Sequence, residues 1–187
     1  ILHSTFLFAV SVSKWWKCRV SVLRFLQVNL FSNLYYYSAS DRVARVEKII
    51  KHLLHDIQLD VREAACGTLS SLLHCGYWKI DDKFLSTLNQ WAGKQNGEIM
   101  RHAGVLGMCA VVRSCPYSVP DYLPGILMSL CPHASSSSGD LVARTVKKCL
   151  SEFKRTHQDS WHEHKERFSE DQLCALDEIL VSPNYYI

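Results

Sequence analysis

Leu59-Asp60-Val61-Arg62-Glu63-Ala64-Ala65, a segment near the middle of the chain, has the composition of a helix start that packs closely on a neighbour. An aspartate near the N-terminus of a helix is favoured by the helix dipole, and small residues allow close packing. Arg62 is long enough to reach an acidic side chain or backbone carbonyls of an adjacent structural unit. The segment therefore predicts a helix that belongs to a stack.

The residues before this segment predict a partner helix. Apolar residues recur there at helical spacing on one face, with Arg and Lys between them, and a short break at 55–58 follows. The local unit is a helix, a short turn and a second helix. The apolar positions of the first helix are Val43, Val46, Ile49, Ile50, Leu53 and Leu54.

The unit recurs along the chain. Arg101, in Arg101-His102-Ala103-Gly104, lies 39 positions after Arg62, and Arg144 lies 43 positions after Arg101. Arg19 lies 43 positions before Arg62. A two-helix unit with a period of about 40 residues is typical of HEAT repeats. An irregular helical bundle is the alternative, and it would have no reason to keep this period.

The sequence predicts an all-α, HEAT-type α-solenoid, and strand signals are nearly absent. Breakers such as Ser38-Ala39-Ser40, Gly76 and the Ser135–Ser138 run separate the helices. We predict four helix pairs at about 1–39, 41–76, 82–115 and 120–156, a terminal helical segment at 160–181, and a short free tail at 182–187.

Composition limits the function classes. The chain has 21 Lys+Arg and 18 Asp+Glu, a net charge of +3, and 48% hydrophobic residues. No block of like charges argues for direct nucleic-acid binding, and no segment is long enough to suggest a membrane partner. The chain begins at Ile1 without Met, so we interpret it as a piece of a longer protein. The apolar segment Phe6–Val12 lacks the flank of a signal peptide.

Cysteine usage favours a reducing compartment. The eight cysteines include no C-x-x-C pair, and Cys66, Cys109 and Cys149 fall on apolar helical faces, where free cysteine acts as a small hydrophobe. The chain is not a short secreted scaffold of the kind that depends on disulfides.

No motif predicts an enzyme or a metal site. There is no G-x-S-x-G and no phosphate-binding glycine loop. His157, His162 and His164 converge poorly for zinc, and the adjacent His74-Cys75 cannot serve as base and nucleophile. Tyr77-Trp78, beside Gly76, is either core packing or the wall of a shallow pocket for an acyl-lysine.

The last residues, Tyr185-Tyr186-Ile187, form a hydrophobic–tyrosine–any-residue ending. Pro183 cannot continue the helix predicted before it, so these residues should leave the body of the protein as a tail. Aromatic side chains followed by an α-carboxylate can fill a pocket that holds a cation.

The chain resembles the C-terminal end of the large HEAT-repeat proteasome activators, the subunit 4 family of proteasome activator complexes. The resemblance extends from about residue 15 onward. The two most specific strings are 101–107 and 180–186. The residues that carry it are Trp15-Trp16, Phe25–Val28, Val61–Ala65, Gly67–Ser70, Arg101–Gly107, Thr145–Lys148, Arg155–His157 and Leu180–Pro183.

This resemblance implies a non-enzymatic cap on the 20S core particle that acts without ATP or ubiquitin. Tyr185, Tyr186 and the Ile187 carboxylate would insert between subunits of the proteasome α-ring and favour the open gate. The family is linked to degradation of acetylated core histones in DNA repair and spermatogenesis, in the nucleus and cytosol. It implies no cofactor other than an inositol phosphate, whose site in this chain is unknown.

Two positions depart from the family pattern. The tail ends in Ile187 where the family commonly has Ala. The family also carries a bromodomain-like segment, which overlaps about residues 1–80 here, with an Asn–Phe pair proposed to bind acetyl-lysine. That pair corresponds to Gly76 and Tyr77. Tyr77 keeps an aromatic wall, whereas Gly76 offers no carboxamide.

A second hypothesis is a HEAT-repeat scaffold that binds a protein partner, with acetylated histone as a candidate and the tail incidental.

Overall fold

The computed structural model of the chain describes residues 11–134 and 140–180. These residues contain helices and no strand, which confirms the predicted all-α, solenoid-like fold. The predicted tail and the Ser135–Ser138 run lie outside the described residues. The helices are α1 (Trp16–Ser32), α2 (Leu34–Tyr37), α3 (Ser40–Leu54), α4 (Leu59–His74), α5 (Asp82–Ala92), α6 (Glu98–Arg113), α7 (Leu123–Ala134), α8 (Leu141–His157), α9 (Trp161–His164) and α10 (Glu170–Leu180), with a 3₁₀ turn at Lys165–Arg167.

The longer helices form a repeating stack. α1, α4, α6 and α8 pack side by side in one layer, while α3, α5 and α7 each pack on the helix that follows them in sequence. α10 closes the stack against α7 and α8.

The arginines that defined the period occupy one position of the repeat. Arg19, Arg62, Arg101 and Arg144 are each the fourth residue of their helix, in α1, α4, α6 and α8. Arg19 and Arg62 are buried, and Arg144 is exposed.

Side-chain hydrogen bonds tie each unit to the next. The long-range bonds between described residues join positions 37 to 47 apart, close to one repeat length. A solenoid unit contacts only its neighbours, so a polar side chain that leaves its own helix meets the adjacent unit.

Two ion pairs link neighbouring units at their turns. The buried Arg19 guanidinium donates through Nε and Nη2 to the two oxygens of Asp56, with the second bond 2.8 Å long. This hydrogen bond raises the pKa of Arg19. Arg101 donates to Asp140 through Nη2 alone, at 2.7 Å. At Arg19 the two-bond pairing of a planar guanidinium fork with a carboxylate fixes orientation as well as distance.

A hydrogen-bonded chain crosses three units at Arg62, His102 and Thr145. Arg62 Nε donates to His102 Nδ1 at 3.0 Å, and because a guanidinium only donates, Nδ1 must be the unprotonated nitrogen. His102 Nε2 therefore carries the proton and donates to Thr145 Oγ1 at 3.0 Å. Thr145 in turn donates to the Leu141 carbonyl. Burial and then the Arg62 charge lower the pKa of His102 to about 4.

Helix α6 is buried along most of its length, from His102 to Val112. It approaches α5 closely because two of its residues are glycines. A Cβ on Gly104 would overlap the Ala92 amide nitrogen and lie 2.7 Å from the Leu88 carbonyl. A Cβ on Gly107 would meet only the Leu88 side chain. The two glycines therefore permit the close packing of α6 on α5.

The terminal helical segment expected at 160–181 is broken. The backbone at Phe168 is extended, and a new helix, α10, begins at Glu170. Gln172 N–H donates to Ser169 Oγ at 3.3 Å, and Ser169 N–H donates to Gln172 Oε1 at 3.0 Å. This reciprocal pair is a capping box, which the Ser-x-x-Gln spacing indicates in the sequence.

We predict that replacing three helical glycines with alanine changes the free energy of unfolding by different amounts. The difference separates the effect of close packing against α5 from the effect of helix propensity. Gly104→Ala should lower the free energy of unfolding by at least about 2 kcal/mol, because α5 backbone must move. Gly107→Ala should cost less, since the Leu88 side chain can change rotamer. Gly67→Ala, where nothing lies within 4 Å of the new Cβ, should stabilise by about 0.5–1 kcal/mol. Chemical denaturation measures all three, and equal effects would contradict the packing argument.

The buried neutral His102 predicts a loss of stability on acidification. Below an ordinary histidine pKa of 6.5, His102 binds a proton in the unfolded chain, whereas in the folded chain it stays neutral down to about pH 4. Stability present above pH 6.5 is therefore lost toward pH 4, by up to about 3 kcal/mol. Denaturation at a series of pH values should show a flatter dependence for His102→Gln, while the exposed-site control His52→Gln keeps the wild-type slope. Equal slopes for all three proteins would refute the assignment.

Candidate functional site

The sequence singles out two regions. Tyr185, Tyr186 and Ile187 lie outside the described residues, which end with α10. Gly76 and Tyr77 follow the C-terminus of α4, where the structure gives full geometry.

Gly76 ends helix α4. It has a φ of +70°, a left-handed conformation that glycine adopts without strain. Its N–H donates to the Leu73 carbonyl at 3.0 Å, and the Tyr77 N–H donates to the Leu72 carbonyl at 3.0 Å. These two bonds form a Schellman motif. The glycine that replaces the expected carboxamide residue therefore has a structural role of its own.

Tyr77 is half-buried, and its hydroxyl is already engaged. It donates to the Tyr37 carbonyl at 3.0 Å and so joins two neighbouring units. Burial raises the pKa of Tyr77 to about 12. Trp78 beside it is 4% exposed and packs against Phe84, with ring centroids 5.0 Å apart.

A groove of about 580 Å³ opens beside Tyr77, between α3 and the start of α5. Gly76 does not line it, and no asparagine or glutamine does. Tyr77, Trp78 and Phe84 contribute aromatic surface, and charged side chains surround them. The other lining residues are Ser38, Val43, Ala44, Glu47, Lys51, Lys79, Asp81, Lys83 and Thr87. Lys79 and Lys83 were not predicted from the sequence as residues of the site. The Tyr77-Trp78-Lys79 run, with a basic residue directly after two aromatic residues, was the local signal that could have indicated Lys79.

The charges of the groove are unevenly compensated. Lys51 pairs with Glu47 at 3.3 Å and lies 5.1 Å from the Trp78 ring centroid. Asp81 caps α5 by accepting a bond from the Phe84 N–H at 2.7 Å. Among the described residues, no carboxylate lies within ion-pair distance of Lys79 or Lys83.

The histidines and cysteines do not assemble into a centre within the described part of the chain. No group of three or more His, Cys, Asp or Glu side chains there is placed to hold a metal ion. His157 is buried against the Phe153 and Ser118 carbonyls, while His162 is exposed beside Glu163. All eight cysteines are free, and burial raises the pKa of Cys66 to about 12, so this thiol is not activated.

None of the described helices combines the length and apolarity needed to cross a bilayer.

Comparison with known proteins agrees with the resemblance in the sequence. Residues 98–187 match the family described as "Proteasome activator complex subunit 4-like, C-terminal". The chain is 39% identical to zebrafish (Danio rerio) proteasome activator complex subunit 4A over 95% of its length, covering 11% of that protein. It is 39% identical to the human subunit 4 over 91% of its length, covering 10% of that protein.

A more distant relative is the proteasome activator BLM10 of Saccharomyces cerevisiae, which is 25% identical over 87% of the chain. The chain covers 8% of BLM10, so it spans about a tenth of the length of the curated relatives it matches.

We predict that the Tyr77 hydroxyl stabilises the fold. Tyr77→Phe should lower the free energy of unfolding by about 1 kcal/mol, because the partly buried Tyr37 carbonyl loses its donor. Tyr35→Phe, at a residue that is 96% exposed, is the control and should change stability by less than about 0.5 kcal/mol. Chemical denaturation of the two variants measures the difference. If Tyr77→Phe leaves the free energy of unfolding unchanged, the hydroxyl has no stabilising role and is available to a ligand.

Proposed function

This chain belongs to the proteasome activator complex subunit 4 family, and we propose that it forms the C-terminal part of a proteasome activator. In this proposal it helps to cap the 20S core particle without ATP or ubiquitin, and its tail favours gate opening. The observation that carries the proposal is the 39% identity over 95% of the chain to a protein named proteasome activator complex subunit 4A.

The docking element of the proposal is Tyr185-Tyr186-Ile187. The last described helix, α10, packs against α7 and α8, and Leu176 on it is buried. A tail that starts just after this anchored helix has a defined origin on the solenoid. Because proline cannot continue a helix, Pro183 would separate the tyrosines from any helix before it in this proposal. The tyrosines would fill a pocket between α-ring subunits, and the terminal carboxylate would meet a lysine there.

The tail alone should bind weakly. Two aromatic rings and one ion pair correspond to roughly 4 kcal/mol, or millimolar affinity. A solenoid that touches the same ring raises the effective concentration of the tail, so most of the binding energy would come from the larger surface.

The proposal extends to the substrates and compartment of the family. We infer a role in the degradation of acetylated core histones, in DNA repair and spermatogenesis, with the protein in the nucleus and cytosol. An inositol phosphate is the one small-molecule ligand the family implies, and no residue of this chain is assigned to it. The competing function is a scaffold that binds a protein partner, favoured by the groove beside Tyr77.

Loss of the tail should abolish activation. We predict that removing 185–187, or the change Tyr186→Ala, eliminates stimulation of fluorogenic-peptide hydrolysis by purified 20S particle. Because the expected affinity is near millimolar, the chain is added at ~0.5 mM. One added glycine after Ile187 should have the same effect, since it displaces the carboxylate.

Tyr117→Ala, at an exposed tyrosine outside the tail, is the matched control and should keep the stimulation of the intact chain. Stimulation that survives removal of the tail would reject the docking role and leave the scaffold function.

A further inference from the structure

Two donor atoms that the proposed function does not use face each other between neighbouring units of the stack. His55 directly follows α3, and Met100 lies in the first turn of α6. The Nε2 atom of His55 is 2.9 Å from the sulfur atom of Met100. Met100 is 38% exposed, so an ion in solution can reach the two donors.

The hydrogen bonds of His55 show which of its ring nitrogens has a free lone pair. Nδ1 lies 2.7 Å from the Lys51 carbonyl, and because a carbonyl only accepts, Nδ1 carries the proton. Burial lowers the pKa of His55, so the ring is neutral near neutral pH. Nε2 is then an acceptor, and the thioether sulfur that it faces is an acceptor too. Two lone pairs at this distance repel each other unless a cation lies against both.

The surroundings of these two donors resemble those of ligands for a soft metal ion. A metal-binding histidine usually donates its other ring N–H to a backbone carbonyl or a carboxylate, as His55 does to Lys51. The Trp91 ring packs edge to face against the imidazole, with centroids 4.2 Å apart, and so limits its rotation. Soft thioether sulfur favours Cu(I), and imidazole also binds copper.

We propose that His55 Nε2 and Met100 Sδ bind a soft monovalent ion, Cu(I), for which Ag(I) is an analogue. His52 is the third donor of this site, because it is exposed and lies three positions before His55 on the same face of α3. The unbranched Met100 side chain has three rotatable bonds, so its sulfur can move away from Nε2 to admit the ion. The site stands whether or not the tail docks on the proteasome.

The same donors argue against harder ions. Zn²⁺ sites in proteins use cysteine, histidine and carboxylate ligands, and Ca²⁺ and Mg²⁺ require oxygen ligands. Asp56, the carboxylate next to His55 in the chain, is already paired with Arg19. The carboxylate beside the site is therefore not free for a hard ion, whereas the thioether remains open to a soft one.

Titration of the whole chain with Ag(I), followed by NMR of the methionine methyl groups, tests the proposal. The cysteines that are not buried are first replaced by serine, because thiols bind soft ions strongly. We expect the Met100 methyl resonance to shift and to saturate at one ion per chain, while the Met128 methyl stays in place. Zn²⁺ should not move the Met100 resonance. The replaced cysteines are Cys18, Cys75, Cys115 and Cys174.

Substitutions in the same cysteine-replaced chain locate the ion. Met100→Leu, a nearly volume-conserving change at a partly exposed position, should weaken the affinity for Cu(I) at least about tenfold. His55→Gln and His52→Gln should weaken it as well. Met128→Leu and the exposed-site change His162→Gln remove the same side chains elsewhere and should leave the affinity unchanged. Competition with a chromophoric Cu(I) chelator in ascorbate measures the affinity, and circular dichroism confirms that the variants are folded.

Three outcomes overturn the proposal. A Met100 methyl resonance that does not move with Ag(I) shows that the sulfur is not a ligand. Equal effects of Met100→Leu and Met128→Leu on the affinity for Cu(I) place the ion elsewhere in the chain. A shift of the Met100 resonance with Zn²⁺ as large as that with Ag(I) removes the preference for a soft ion.

Discussion

The chain of hydrogen bonds from Arg62 through His102 to Thr145 shows the constraint on which the whole stack depends. Each of these side chains belongs to a different unit, and each finds its partner one repeat away. Burial favours hydrogen bonding of the polar groups in this chain, and the bonds that leave their own unit reach the neighbouring units. The spacing of about 40 residues is therefore a physical requirement of the stack, and the helix lengths must conform to it.

That constraint explains which parts of the structure the sequence could predict. The period placed Arg19, Arg62, Arg101 and Arg144 at equivalent positions, and all four are the fourth residue of their helices. Equivalence of position does not give equivalence of partner, however. Arg19 meets Asp56, Arg62 meets His102 and Arg144 is exposed, because the partner is set by the adjacent unit and not by the repeat itself.

The candidate site was harder to predict because it depends on the space between units. From the sequence, the adjacent residues Gly76 and Tyr77 were expected to form a pocket, because they correspond to a residue pair proposed to bind acetyl-lysine. In the structure Gly76 terminates α4, and the groove is formed instead by α3, the Tyr77–Lys79 turn and the start of α5. Helices α1, α4, α6 and α8 pack side by side, and glycines bring α6 close to α5. The groove opens between α3 and α5. Neither feature can be computed from local composition, since both follow from how neighbouring pairs are spaced.

The same stacking bears on how a weak tail can act. A short tail contributes little affinity, so its position relative to the rest of the binding surface matters more than its own contacts. Buried pairs such as Arg19–Asp56, and the partly buried Arg101–Asp140, hold successive units in a fixed orientation. The last helix is held in turn by Leu176 and by its packing on α7 and α8. In the proposed function, a rigid stack of units reduces the entropy lost when the solenoid docks, because fewer orientations must be sampled. Loosening an ion pair between units would then weaken the proposed docking without changing any of the proposed contacts with the proteasome.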